Sequence, residues 1–323
     1  MGRIRIARGI RTASGLLPVA IVLLSSCLAS AAFGADRFPI VSKDDRGVVV
    51  RLPAAPRRIV SLAPSLTEIV FLLGRDSFLA GVTRYCNYPP RASSLPKVGG
   101  VSDPDIERII ALSPDIVLCT TDGNPREKIR ALEEMGIPCF AVSPQDLDAV
   151  FAAIERIGVL LGDPDRGRKE AEALRARARR ARTAAGVKAG SVPSVLFVVS
   201  TVPVIAAGNG TFMDELIRLA GGRNAAAAYS GRYPRLSVEQ LVATRPDVIF
   251  VAGMTGVERF PNEVTRWKEV PAFREDAVVT LDGDIVTRPG PRLVAALERV
   301  SAALSAWRER RDGPSAGTGR GKR

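Results

Sequence analysis

No histidine occurs in the 323 residues. Histidine is the commonest acid–base side chain and the commonest metal ligand, so a Ser-His-Asp triad, a Cys-His dyad and an imidazole-held zinc are excluded. The four cysteines, Cys27, Cys86, Cys119 and Cys139, form no C-x-x-C pair, which argues against a zinc or thioredoxin-like site. Cys86 is a nucleophile by type but has no histidine to activate it. Gly208-Asn209-Gly210 suggests a phosphate loop, yet it lacks the third glycine or the Lys-Ser/Thr that would cradle a phosphate. No G-x-S-x-G elbow occurs, and no close acidic pair stands in a Gly-flanked loop. A secreted enzyme working with carboxylates in a cleft is the weaker reading; no catalytic residue, resident metal or cofactor is assigned. With catalysis set aside, what remains for the side chains is recognition, by groups held in place around a ligand.

Such groups need rigid elements behind them, and the hydrophobic pattern alternates short apolar strands with helices. Residues 40–52 read as a hairpin turning at Asp44-Asp45-Arg46-Gly47. A strand over 58–62 leads into a helix opened at Pro64, with Ser65 expected as N-cap and Glu68 completing a capping box. Further strands are expected over 78–83, 115–120, 137–142, 195–200, 247–252 and 278–281. Helices are expected over 106–112, 126–135, 147–161, 211–220, 238–243, 267–270 and 291–307. This alternation implies parallel sheets covered on both faces. Residues 164–185 differ: they are rich in Ala, Arg and Glu, with Pro164 just inside the start. They would make about 30 Å of helix, a strut with no core of its own.

Residues 1–35 have the layout of an export signal. Four arginines and no acid lead into an apolar run over 16–24, shorter than the roughly 20 residues that span a bilayer. Ala29-Ser30-Ala31 offers a cleavage site; Leu24-Ser25-Ser26-Cys27 offers a lipobox that would anchor the chain through Cys27. The remaining 288 residues suggest two domains. The net charge of +12 is concentrated: +4 lies in 1–35, +6 in 166–182 and +4 in 308–323, leaving −2 elsewhere. A nucleic-acid binder would interleave aromatics with its basic face. The basic helix has none, so it reads as a solvated face. The Gly-, Ser- and Arg-rich segment 308–323 is expected to be disordered. After cleavage Cys86, Cys119 and Cys139 remain; export favours disulfides, and an odd number leaves at least one thiol over.

One segment recurs. Residues 106–118 align without gaps on 238–250, with Glu, Ala, Pro and Asp identical and every apolar position kept. The copies flank the strut, which implies two lobes sharing a helix-to-strand unit, with strand ends facing a common cleft. Glu107 and Glu239 hold the same place in each copy. Placement near a helix N-terminus accounts for them; so would a pair of knobs meeting basic pockets on a two-fold partner.

The order and spacing of several motifs resemble a known family. They are Arg58-Ile59-Val60-Ser61-Leu62-Ala63-Pro64-Ser65-Leu66-Thr67-Glu68, Tyr85-Cys86-Asn87-Tyr88-Pro89-Pro90, the 106–117 segment, Gly123-Asn124-Pro125 and Arg288-Pro289-Gly290-Pro291-Arg292. Together, over residues 44–307, they look like the helical-backbone periplasmic binding proteins of importers for cobalamin, iron–siderophores and haem. The resemblance implies an α/β fold of two Rossmann-like lobes with parallel sheets joined by one long helix. The implied division is a signal over 1–35, a hairpin over 36–57, lobes over 58–162 and 191–307, an inter-lobe helix over 163–190 and a basic tail over 308–323. It implies a monomer in the periplasm that hands a metal-chelate ligand to a dimeric ABC permease with its ATPase, docking through Glu107 and Glu239. The loop at Tyr85 is most similar to the cobalamin branch, so a corrinoid is expected, with a ferric siderophore or haem as alternatives. The implied binding set is Ser65, Tyr85, Tyr88, Asn124, Tyr233, Asp284 and Arg288. Where that branch tends to carry tryptophan, this chain has Thr120, Ile285 and the 99–103 loop. A siderophore would instead call on Arg84, Arg235 and Arg288. Trp267 and Trp307 look like packing residues.

Overall fold

The computed structural model describes residues 39–184, 192–253 and 269–312. The expected export signal with Cys27, the helix start at Trp267 and residues 313–323 lie outside them. Strands β1 (Ile40–Lys43) and β2 (Val49–Leu52) form the antiparallel hairpin expected at the start.

The first lobe runs through β3 (Ile59–Ser61), α1 (Pro64–Leu72), β4 (Leu79–Val82), α2 (Ile106–Ala111), β5 (Ile116–Cys119), α3 (Arg126–Glu134), β6 (Cys139–Ala141) and α4 (Leu147–Leu160). Its sheet is wholly parallel, in the order β4-β3-β5-β6. Every residue of β3, β5 and β6 is buried, as strands covered on both faces must be. Alternation sorts the faces. Val60, Val117 and Cys139 pack with Ile109 of α2 and Ile129 and Leu132 of α3. Ile59, Leu118 and Phe140 join the main core. The edge at β6 is closed by the hairpin turn, because the buried Asp44 carboxylate accepts from Ala141 N–H and Asp45 N–H donates to Ala141 O.

The expected capping box on α1 does not form. Ala63 is the N-cap, Pro64 takes the first helical position, and Ser65 lies buried inside the first turn. Proline's fixed φ suits that position and moves the cap two residues outward, from Ser65 to Ala63. Glu68 is thereby released from capping and points to a partner in the other lobe.

The strut is α5 (Pro164–Ala184), begun by Asp163, whose carboxylate accepts from Arg166 N–H. It buries Gly167, Ala171, Leu174, Ala178 and Ala181, a narrow stripe of mostly small residues. Small residues let backbones meet: a Cβ added to Gly158 of α4 would fall 2.7 Å from Gly167 Cα. The stripe links the cores of the two lobes into one cluster.

The second lobe contains β7 (Ser194–Thr201), β8 (Val204–Ala206), α6 (Phe212–Leu219), β9 (Arg223–Asn224), α7 (Val238–Thr244), β10 (Val248–Gly253), α8 (Pro271–Arg274), β11 (Val278–Asp282), α9 (Gly283–Val286) and α10 (Leu293–Asp312). The order is β11-β10-β7-β8, with β9 beside the start of β7. This sheet departs from the all-parallel expectation, since β8 runs antiparallel to β7. Val202-Pro203 turns the chain back at once, and the short apolar run after it pairs as a hairpin instead of leading straight to a helix. The tail also departs: α10 continues to Asp312. Arg308 is buried and donates to Ala220 O and Gly221 O, the free carbonyls at the end of α6, which holds the last turns in place. Trp307 packs in the core, as expected.

The two copies of the repeat fall in separate sheets, β5 in one and β10 in the other. Each short helix ends on a left-handed residue, Ser113 (φ 44°) and Arg245 (φ 41°), just before the shared proline. Each shared aspartate then ties its strand to the neighbouring one. Asp115 accepts from Arg57 and Arg58 N–H beside β3, and Asp247 accepts from Ser194 N–H on β7.

Cys86, Cys119 and Cys139 are all buried free thiols, so the disulfide that export favours is not made. Cys86 Sγ sits 3.2 Å from Thr67 Oγ1 and 3.1 Å from Thr83 Oγ1.

Candidate functional site

A cavity of about 630 Å³ opens between the lobes. The first lobe contributes residues just past the carboxyl ends of β3, β5 and β6: Ser65, Thr120, Asp122 and Ser143 among them. The second contributes Phe212 from α6, Arg232 and Tyr233 from the loop before α7, and residues 287–289 between α9 and α10. Open α/β sheets hold ligands beyond their strand ends because the connecting loops converge there. The volume lies in the ordinary range of ligand sites, about 300–1,000 Å³.

Of the residues expected at the ligand, Ser65, Tyr233 and Arg288 line this cavity. Tyr233 is 51% exposed, with its ring free to meet a ligand face. The others sit differently. Asn124 lies behind the wall, facing a smaller cavity of about 390 Å³ within the first lobe. Its amide is consumed by the backbone: Oδ1 accepts from Thr120 N–H at 2.7 Å, and Nδ2 donates to Leu62 O and Val101 O at 3.0 and 2.8 Å. That makes it a clamp joining three loops of the wall, in place of the ligand contact expected. Tyr85 and Tyr88 are half exposed and outside the cavity lining, Tyr85 beneath the Arg84 guanidinium and Tyr88 beneath that of Arg292, 4.2 Å from the ring centroid. Asp284 also stays off the wall and holds Arg288 at 2.6 Å. Thr120 and Val101, where the resemblance leads one to look for tryptophan, do line the cavity, so its wall is poor in aromatics.

The loop at Tyr85 is a clasp between the lobes. Asn87 Nδ2 donates to Asp284 Oδ2 at 2.7 Å, Arg288 Nη1 donates to Asn87 Oδ1 at 2.7 Å, and Arg288 Nη2 donates to Tyr85 O at 3.2 Å. Beside it, Arg292 grips Glu68 with both forks, Nη2 to Oε1 at 2.6 Å and Nε to Oε2 at 3.0 Å. Burial pushes the Glu68 carboxyl up; hydrogen bonds and charge from Arg292, and the charge of Arg288, pull it back without cancelling the rise. Gly290 lets the lobes approach closely here, since a Cβ would fall 3.1 Å from Ser65 Cβ across the interface and press the two apart by a few tenths of an ångström. Two more bonds cross between the lobes: Leu147 N–H donates to Glu215 Oε2 at 3.0 Å, and Arg232 Nη1 donates to Gln145 Oε1 at 3.4 Å.

Asp122, Ser143 and Arg232 were not singled out from the sequence. The signal was available for the first two, because both follow strand ends on the cleft side. Burial alone would raise the Asp122 carboxyl, but hydrogen bonds from Gln145, Ser143 and Thr121 and the charge of Arg232 outweigh it and hold the group below its usual range.

Glu107 and Glu239 stand at the second position of α2 and α7, each exposed and neither on the cavity wall. Among the described residues no group of three or more carboxylates and thiols is placed to hold a metal ion, and no helix is long and apolar enough to cross a membrane.

The comparisons agree with this geometry. The model of the periplasmic binding protein family matches residues 59–285. A vitamin B12-binding protein of Vibrio parahaemolyticus is 30% identical over 257 residues, covering 79% of this chain and 91% of the relative. The crystal structure of the periplasmic vitamin B12 binding protein BtuF of Vibrio cholerae superposes with a TM-score of 0.70 at 30% identity, covering 79% of this chain and 99% of that one. The apo periplasmic haem-binding protein RhuT of Roseiflexus gives a TM-score of 0.71 at 31% identity, covering 78% and 98%. Two lobes, a bridging helix and a cavity at the strand ends are thus joined by a family match over most of the chain, and this protein belongs to the periplasmic binding protein family.

Proposed function

We propose that this protein captures a corrinoid of the cobalamin type in the inter-lobe cavity and delivers it to a dimeric inner-membrane permease with its ATPase. Periplasmic binding proteins of this family are non-enzymatic transport components that deliver ligand to an ABC permease. The observation that carries the corrinoid reading is an inter-lobe cavity lined by Tyr233 and Arg288, in a chain 30% identical over 257 residues to a vitamin B12-binding protein and superposing with a TM-score of 0.70 on another. Ser65, Tyr233 and Arg288 contact the ligand. Tyr85, Tyr88 and Asp284 act from the rim by holding Arg288 and the clasp, and Asn124 acts by shaping the wall. Glu107 and Glu239, one on each lobe, meet basic pockets of the permease dimer; such charge pairs set encounter rate and register. The chain works as a monomer, exported by residues 1–35 and released by cleavage or anchored through Cys27.

A haem reading has one observation in its favour. Tyr233 presents a phenol on the wall, a group able to bind haem iron, and a haem-binding protein is among the similar structures. A ferric siderophore has less support, because Arg84 and Arg288, two of the arginines it would call on, already pair with Asp103 and Asp284. Calorimetric titration with cyanocobalamin, haemin and a ferric hydroxamate separates the three. Saturation by cyanocobalamin at one per chain is expected; tight binding of haemin with none of cyanocobalamin would replace the corrinoid reading.

A further inference from the structure

We infer that Asp122 is a charge-selecting residue of the cavity: its carboxylate accepts hydrogen bonds from amide or hydroxyl donors on the cargo and disfavours cargo bearing carboxylates. The inference deepens the corrinoid reading and rests on it. Asp122 is on the wall, in the loop after β5. One of its oxygens, Oδ2, is committed to Ser143 Oγ at 3.0 Å and Gln145 Nε2 at 2.9 Å. The other, Oδ1, accepts only from Thr121 Oγ1 at 3.2 Å, and a carboxylate oxygen has room for a second donor.

The charges facing it decide what that donor can be. Arg288 is already met by Asp284 and Asn87. Arg232, on the opposite lobe, is the cation that balances Asp122, and its side-chain bond goes to Gln145 at 3.4 Å. The wall therefore carries no net surplus of positive charge: Arg288 is offset by Asp284 and Arg232 by Asp122, so a carboxylate brought beside Asp122 would meet its anion uncompensated. The rim of a corrin carries neutral carboxamides, whereas that of a protoporphyrin carries carboxylates. The depressed Asp122 carboxyl keeps the anion in place through mildly acidic conditions.

The test compares cyanocobalamin with its separated monocarboxylic acids, in each of which one side-chain amide has been hydrolysed. The mature protein should bind the amide more tightly than at least one acid by about three- to tenfold, the scale of a single like-charge contact in a wet cleft. In Asp122→Asn that ratio should fall towards one, and in Arg232→Gln it should widen. A purely structural role for Asp122 would weaken all these ligands alike and leave the ratio unmoved, which overturns the inference, as does a wild-type ratio of one for every acid. Should no corrinoid bind, the corrinoid reading falls separately, and haemin against its dimethyl ester becomes the measurement. Tighter binding of the free dicarboxylate by the wild type would then overturn the filter; a preference for the ester that Asp122→Asn removes would uphold it.

Discussion

Removing the carboxylate at Glu68 tests whether the lobes are locked together by a buried ion pair. The Glu68 side chain is 3% exposed and that of Arg292 16%, so water screens the pair little. Glu68→Ala leaves the Arg292 guanidinium without its two-pronged partner in a place water barely reaches. Orphaning one half of a buried pair costs about 3–5 kcal/mol. At about 2–4 °C per kcal/mol for a protein of this size, the midpoint of thermal unfolding should drop by roughly 10 °C. Fluorescence of the buried Trp307, on the helix that begins just after Arg292, reports the transition. The intact pair itself contributes far less than this, because burial already penalises the Glu68 carboxylate. Replacing both partners, Glu68→Leu with Arg292→Leu, should therefore recover more than half of the loss. A drop below about 1 kcal/mol in Glu68→Ala, or a double variant no more stable than the single, would refute the reasoning.

Other expectations follow from the same contacts. Asn124→Ala should destabilise by about 3 kcal/mol, since it strands Thr120 N–H and two carbonyls; urea unfolding measures it. Gly158→Ala should cost about 1–3 kcal/mol through the forced separation of α4 and α5, read as a lowered urea midpoint. The native thiols should resist iodoacetamide at neutral pH and react once unfolded, which mass spectrometry counts. Burial pushes the Cys119 thiol up to about 12, against a small pull from Arg46. A raised folded value means the stability is fully present below the unfolded thiol value, about 8.5, and is lost as pH rises towards 12. Unfolding midpoints in Cys119→Ala should accordingly be less sensitive to pH over that window than in the wild type. Glu107→Ala with Glu239→Ala should leave ligand affinity intact while abolishing ligand-stimulated ATP hydrolysis by the reconstituted permease; normal stimulation would remove the docking role.

Much of the architecture was legible because it is written in neighbouring residues. The period of apolar residues marked most strands and helices, Pro164 opened the strut, and the gapless match of 106–118 to 238–250 foretold two equivalent units in separate sheets. Even the repeated Pro-Asp has a local cause, since a left-handed helix end and a strand-tying carboxylate lie within a few residues of each other. What the local pattern misread were groups with more than one plausible partner. Glu68 fitted a capping box by spacing, but its true partner lies 224 residues away. Asn124, placed at the ligand by the resemblance and not by local pattern, spends its amide on backbone groups as far off as Leu62. Residues 308–312 had the composition of a tail, yet Arg308 finds the carbonyls of α6. The choice of elements was thus set by the chain itself, through short-range periodicity and turn chemistry. The cavity wall, the clasp and the balance of charge across them were decided only when two lobes closed on each other, because a polar side chain's energy depends on which distant group meets it after water has left.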